Sequence, residues 1–214
     1  YAMAISGVML LGFVVSHMIG NLHVFQGAAE INEYGEGLRD LGEPLFPRTF
    51  VLWVFFRAPL AAAFAVHIHA AYTLGYTNLK ARGTSYQSPR DYLAANYASR
   101  TMRWSGTIVL LFLAWHLADL TWGIAAVNPE FVRGEIYDNL VFTFSRWPVV
   151  VLYLVAQIAL AFHIRHGAWS LFQSVGANNP RFNKFRRTFA NTFTAIVVIG
   201  FLAVPFGTVF GIIQ

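Results

Sequence analysis

The sequence predicts an all-α integral membrane bundle of five transmembrane helices, with its N-terminus in the cytoplasm and its C-terminus outside. Three observations predict it. Of 214 residues, 57% are hydrophobic and only 12% are charged, where a soluble domain has about a quarter of its residues charged. The mean hydropathy is positive, at +0.51. The apolar residues also gather into five runs of the length, about 20 residues, that a helix needs to cross roughly 30 Å of hydrocarbon. The runs lie near 4–25, 50–76, 104–127, 147–173 and 190–213, and together they make 1–214 a single transmembrane domain.

Orientation follows from the loops. Between the second and third spans lie Lys80, Arg82, Arg90, Arg100 and Arg103 against Asp91 alone, and between the fourth and fifth lie Arg181, Lys184, Arg186 and Arg187 with no acid. Loops rich in Lys and Arg stay in the cytoplasm. The first-to-second loop carries Glu30, Glu33, Glu36, Asp40 and Glu43 against Arg39 and Arg48, and the third-to-fourth carries Glu130, Glu135 and Asp138. Those two should face outward. The net charge of +5 therefore belongs to membrane topology and calls for no nucleic-acid partner. No basic segment precedes the first run and no plain cleavage site follows it, so it reads as a retained span.

The absence of cysteine excludes disulfides, thiolate metal sites, cysteine-held iron–sulfur clusters and covalently attached haem on this chain. Histidine is the ligand type that remains. Ionisable residues within spans are costly, which makes each a functional candidate. His17 lies in the first span, His67 and His69 in the second, His116 in the third, and His163 with His166 in the fourth. At about 1.5 Å of rise per residue, His17 and His116 both sit roughly 17 to 20 Å from the inner ends of their spans. By the same rise, His69 and His163 sit about 10 to 15 Å from the cytoplasmic end. Two levels emerge, each with histidines from two helices.

A b-type haem with two axial imidazoles needs this arrangement, with small residues beside each ligand so that the ring can approach the backbone. Ala62 and Ala65 precede His69 by seven and four residues, and Ala156 and Ala159 precede His163 by the same steps. Gly20 follows His17, and Gly123 follows His116. Against this stands the reading of each histidine as an interhelical hydrogen-bonding residue. His67 and His69 lie about 200° apart on a helix and cannot serve one haem, while His163 and His166 share a face, so periodicity does not choose between them. His23 sits near the outer interface.

At the functional level, Asp119, one turn after His116, is the leading candidate for a quinone or proton site, with Glu43 as another; a buried partner for Arg57 is the competing role for Asp119. Arg57 and Arg165 lie within spans and could partner haem propionates, or could snorkel to the interface. Trp53, Trp104, Trp122, Trp147 and Trp169 fall toward span ends, as an aromatic belt does. The basic, tyrosine-bearing segment from Ser85 to Arg103 is a candidate dock for a partner subunit. A histidine-relay transporter without haem is the rival class, but Pro59 and Pro205 alone give too little helix breakage for it.

The strings S-G-V-M-L-L-G-F-V-V-S-H ending at His17, H-A-A-Y-T-L-G-Y from His69, W-H-L-A-D around His116 and F-H-I-R-H-G-A-W-S-L-F from Phe162 resemble the single-chain, two-haem cytochrome b subunits of succinate dehydrogenases and fumarate reductases. The resemblance spans essentially the whole chain. It implies a multi-pass anchor in the cell inner (plasma) membrane, part of a respiratory enzyme, with two haems b and a quinone, menaquinone ahead of ubiquinone. It also implies an iron–sulfur subunit and a flavoprotein on the cytoplasmic side, which carry the clusters, the FAD and the dicarboxylate chemistry, in a complex open to higher oligomers. By the same resemblance His17 and His116 hold the distal haem, and His69 and His163 the proximal one. His163 is preferred to His166 by its register before Gly167, Ala168 and Trp169. Ala161 stands where proton-translocating variants carry a glutamate, so that path is not expected here. The cytochrome b subunit of another membrane dehydrogenase is the nearest alternative.

Overall fold

A computed structural model describes residues 1–81, 97–177 and 179–214, the first four residues after 96 as backbone only. Every regular element among the described residues is helical. In chain order they are α1 (Ala2–Leu22), a 3₁₀ turn (His23–Gln26), α2 (Ala28–Asp40), a π-helical stretch (Leu52–Arg57) running into α3 (Ala58–Lys80), α4 (Tyr97–Leu120), α5 (Ile136–Ser145), α6 (Trp147–Ser174) and α7 (Pro180–Val209). Four helical segments are long and apolar enough to cross a membrane: Ala2–Gln26, Leu52–Lys80, Trp147–Ser174 and Pro180–Val209. The helix at the third expected span, α4, is 24 residues long but less apolar, since Arg103, His116 and Asp119 interrupt it.

Two helix boundaries differ from the sequence expectation for identifiable reasons. Helix α4 stops at Leu120 rather than near 127, because the chain turns through Gly123 at φ 59°, a left-handed conformation that favours glycine. Helix α7 starts at Pro180, ten residues early. Asn179 accepts hydrogen bonds from the backbone N–H groups of Arg181 at 3.0 Å and Phe182 at 3.3 Å, and proline needs no partner at a first helical turn. Arg181, Lys184, Arg186 and Arg187 thus ride on a helix instead of a loop.

The acidic loop after α1 is built, not open. Helix α2 buries Ile31 and packs on α5, with Asn32 accepting from the Tyr137 N–H at 3.1 Å and donating to Glu135 at 3.1 Å. Arg39 and Arg48 both pair with Glu36, and Arg48 also holds Asp40 at 2.6 Å. These pairs tie down Glu36 and Asp40, and with Glu30, Glu33 and Glu43 besides, the segment stays net acidic.

Helix α6 is the centre of the bundle, packed against α4 on one side and α7 on the other, while α1 packs against α3 and α7. One core cluster joins Ile31 of α2, Leu140 and Phe144 of α5, Val150 and Tyr153 of α6 and Val204 of α7; a smaller one joins Met18, Ile164 and Val197. Large apolar side chains such as Ile5, Phe55, Leu111, Ile158 and Ile199 are exposed on the outside of the bundle, where lipid is their natural solvent. Trp53, Trp104, Trp122 and Trp147 are exposed as well, as a belt requires. Neither α1 with α4 nor α3 with α6 packs along its length.

Candidate functional site

The histidines bridge those two unpacked helix pairs. His17 on α1 and His116 on α4 face each other with ring centres 5.8 Å apart and planes at 80°. His67 on α3 and His163 on α6 do the same at 6.1 Å and 64°. Metal–imidazole bonds of about 2 Å put the ring centres of two ligands on opposite sides of one metal about 6 Å apart.

Each pair has one imidazole oriented by a hydroxyl from another helix. The Nδ1 of His116 lies 3.1 Å from the Tyr153 hydroxyl on α6, and the Nδ1 of His67 lies 3.3 Å from the Ser6 hydroxyl on α1. Engaging Nδ1 leaves Nε2 as the coordinating nitrogen. Phe13 stacks on His17 with centres 5.3 Å apart, and Phe201 and Phe112 flank the same pair. On the other pair small residues give room: a Cβ added at Gly7 would meet the His67 ring at 3.6 Å, and one at Gly106 the His163 ring at 3.3 Å. The Nδ1 of His163 is buried and makes no well-formed hydrogen bond among the described residues. Among the described residues no three histidine or carboxylate side chains converge. Pairs of this kind suit a planar tetrapyrrole, which supplies the other equatorial donors itself.

Several sequence expectations meet a different geometry. The structure brings His67, not His69, to His163; His69 is exposed on the far flank of α3. Ala62 and Ala65, expected as clearance beside His69, are exposed with it, whereas Ala63, one turn before His67, is buried. His166 lies against Trp169 instead, with ring centres 6.1 Å apart. Gly20 admits the Tyr34 ring rather than a cofactor, since an added Cβ would sit 2.9 Å from it, and Tyr34 in turn stacks on His23 at 4.5 Å. Gly123 lies beyond the end of α4, with the Phe131 ring against it.

Asp119 is fully buried, and its partner is Arg146, not Arg57. Arg146 donates to Oδ1 at 2.8 Å, the Thr143 hydroxyl donates to Oδ2 at 3.1 Å, and Arg146 also reaches the Val127 carbonyl at 2.6 Å. Both carboxylate oxygens are engaged. Arg57 lies over the Trp53 ring at 4.9 Å, Arg165 donates to Asn191 at 2.8 Å, and Glu43 is exposed in the loop after α2. Of the segment from Ser85 to Arg103, residues 85–96 and the side chains of the next four lie outside the described residues.

Sequence reasoning missed Tyr153, Ser6 and Arg146. None of the three left a signal in its own stretch of sequence, because each has its partner on another helix.

Fold and site together define an integral membrane helical bundle whose interior is organised by two pairs of facing histidines. The chain belongs to the succinate dehydrogenase/fumarate reductase transmembrane subunit family, whose profile matches residues 73–204, from the second half of α3 into α7. It is thus a multi-pass inner-membrane protein, a membrane subunit of complexes of that class, and serves electron transport. No curated protein and no solved structure aligns significantly with it.

Proposed function

We propose that this chain is a five-span, two-haem cytochrome b anchor, N-terminus inside, which conducts electrons between an iron–sulfur subunit docked on its cytoplasmic side and menaquinone in the bilayer. His17 and His116 would hold the distal haem, and His67 and His163 the proximal one. The single observation that carries the reading is the pair of imidazole couples at 5.8 and 6.1 Å, each joining helices that make little other contact among the described residues. Bound haem supplies a reversible one-electron carrier.

The chain's own residues do the rest. Helices α1, α3, α4 and α6 present one imidazole each, and Ser6 and Tyr153 hold two of those rings in place. Phe13, Phe112 and Phe201 keep water from the distal pair, and Gly7 and Gly106 keep side chains off the proximal one. Flavin and dicarboxylate chemistry would belong to the partners, and cysteine-held clusters with them, since these 214 residues include no cysteine.

The test is a dithionite-reduced minus oxidised spectrum of the purified complex with a pyridine haemochrome count. Two haems b assigned to this chain support the reading. A folded chain without haem overturns it and turns the histidines into a proton pathway.

A further inference from the structure

We propose that Tyr153 is a positioning residue for the distal site: its hydroxyl accepts the Nδ1 proton of His116, fixes that ring against α6 and stabilises the oxidised form of the haem that His17 and His116 would hold. The inference rests on the haem reading above and concerns a residue that reading does not require.

The argument starts from what holds Tyr153 itself. It is 7% exposed, with Phe112 and Phe144 each packed edge-to-face against its ring at 4.8 Å between centres. Two perpendicular aromatic contacts leave the phenol little rotational freedom. Its hydroxyl then lies 3.1 Å from the Nδ1 of His116. An imidazole that coordinates through Nε2 carries its proton on Nδ1 and donates it. An acceptor there fixes the tautomer and ring orientation and raises the basicity of the coordinating nitrogen, which favours the higher oxidation state of the metal. Removing the acceptor makes the site easier to reduce. The proximal pair has the parallel device on a different helix, Ser6 on His67, so the two hydroxyls provide separate handles on the two sites.

The test uses the intact complex with its partner subunits. Wild type, Tyr153→Phe and Ser6→Ala are each titrated potentiometrically, with the two haems followed by their optical bands and by the low-spin ferric signals in electron paramagnetic resonance. Tyr153→Phe is expected to shift the distal midpoint potential to a more positive value and to change only the distal ferric signal. Ser6→Ala is expected to do the same to the proximal one. 3-Fluorotyrosine placed at position 153 keeps the shape and weakens the acceptor, so it should give a smaller shift of the same sign; this variant decides the matter should Tyr153→Phe fail to assemble.

No change at the distal haem in either Tyr153 variant, a negative shift, or equal shifts at both haems overturns the inference. A wild-type complex without haem overturns the underlying reading instead, so the two failures are told apart by the wild type alone.

Discussion

His67 and His163 meet ring to ring, 6.1 Å between centres, across the gap between α3 and α6, while His69, two residues on, is exposed on the other flank of the helix. Two positions along a helix turn a side chain by about 200°, so only one of the two histidines can serve this gap. His67→Ala and His163→Ala should each leave one haem per chain and remove the same spectral component. His69→Ala should retain both. Haem counts by pyridine haemochrome decide it, and loss of haem from His69→Ala alone would return the proximal site to His69.

The distal pair makes the complementary case. His17→Ala and His116→Ala should remove one and the same haem, different from the one lost with His67. Double replacement of His17 and His116 should cost no more haem than either single change. Separate components lost from the two single variants would show that these rings do not share one cofactor.

Arg146 holds the buried carboxylate of Asp119 at 2.8 Å. Removing one partner of such a pair strands a charge, at a cost of about 3–5 kcal/mol, whereas replacing both with apolar residues of similar volume is often near neutral. Arg146→Met and Asp119→Leu should therefore each lower the thermal unfolding temperature in detergent markedly, and the double variant should recover most of the loss. Additive losses in the double variant would refute the coupling.

Two glycines, Gly123 just past the end of α4 and Gly12 within α1, should respond oppositely. Gly123 has φ 59° and the Phe131 ring against it, so Gly123→Ala adds about 1–2 kcal/mol of backbone strain to a steric clash. Gly12, within α1, has open space where a Cβ would go, and Gly12→Ala should be neutral or stabilising by up to about 1 kcal/mol. Thermal melts of the two variants in one detergent compare them directly.

Much of this protein was legible in its sequence. Long apolar runs and scarce charge marked a membrane bundle, because hydrocarbon tolerates nothing else at that length. Rise per residue placed the histidines at two depths, since depth along a helix is a property of sequence alone. The strings around His17, His116 and His163 pointed to the family that the profile match over 73–204 shows.

Tertiary structure decided what lies between helices. Depth is fixed by counting residues, but which flank of α3 meets α6 is fixed by packing, and a helix that is apolar on nearly every side carries no polar face to announce its orientation. Hence His67 rather than His69 faces His163, Arg146 rather than Arg57 partners Asp119, and Tyr34 occupies the space beside Gly20. The hydroxyls of Tyr153 and Ser6 belong to the same class. Each acts on an imidazole from another helix, at a sequence separation of 37 and 61 residues, and no periodicity within one helix encodes a neighbour that only folding brings near.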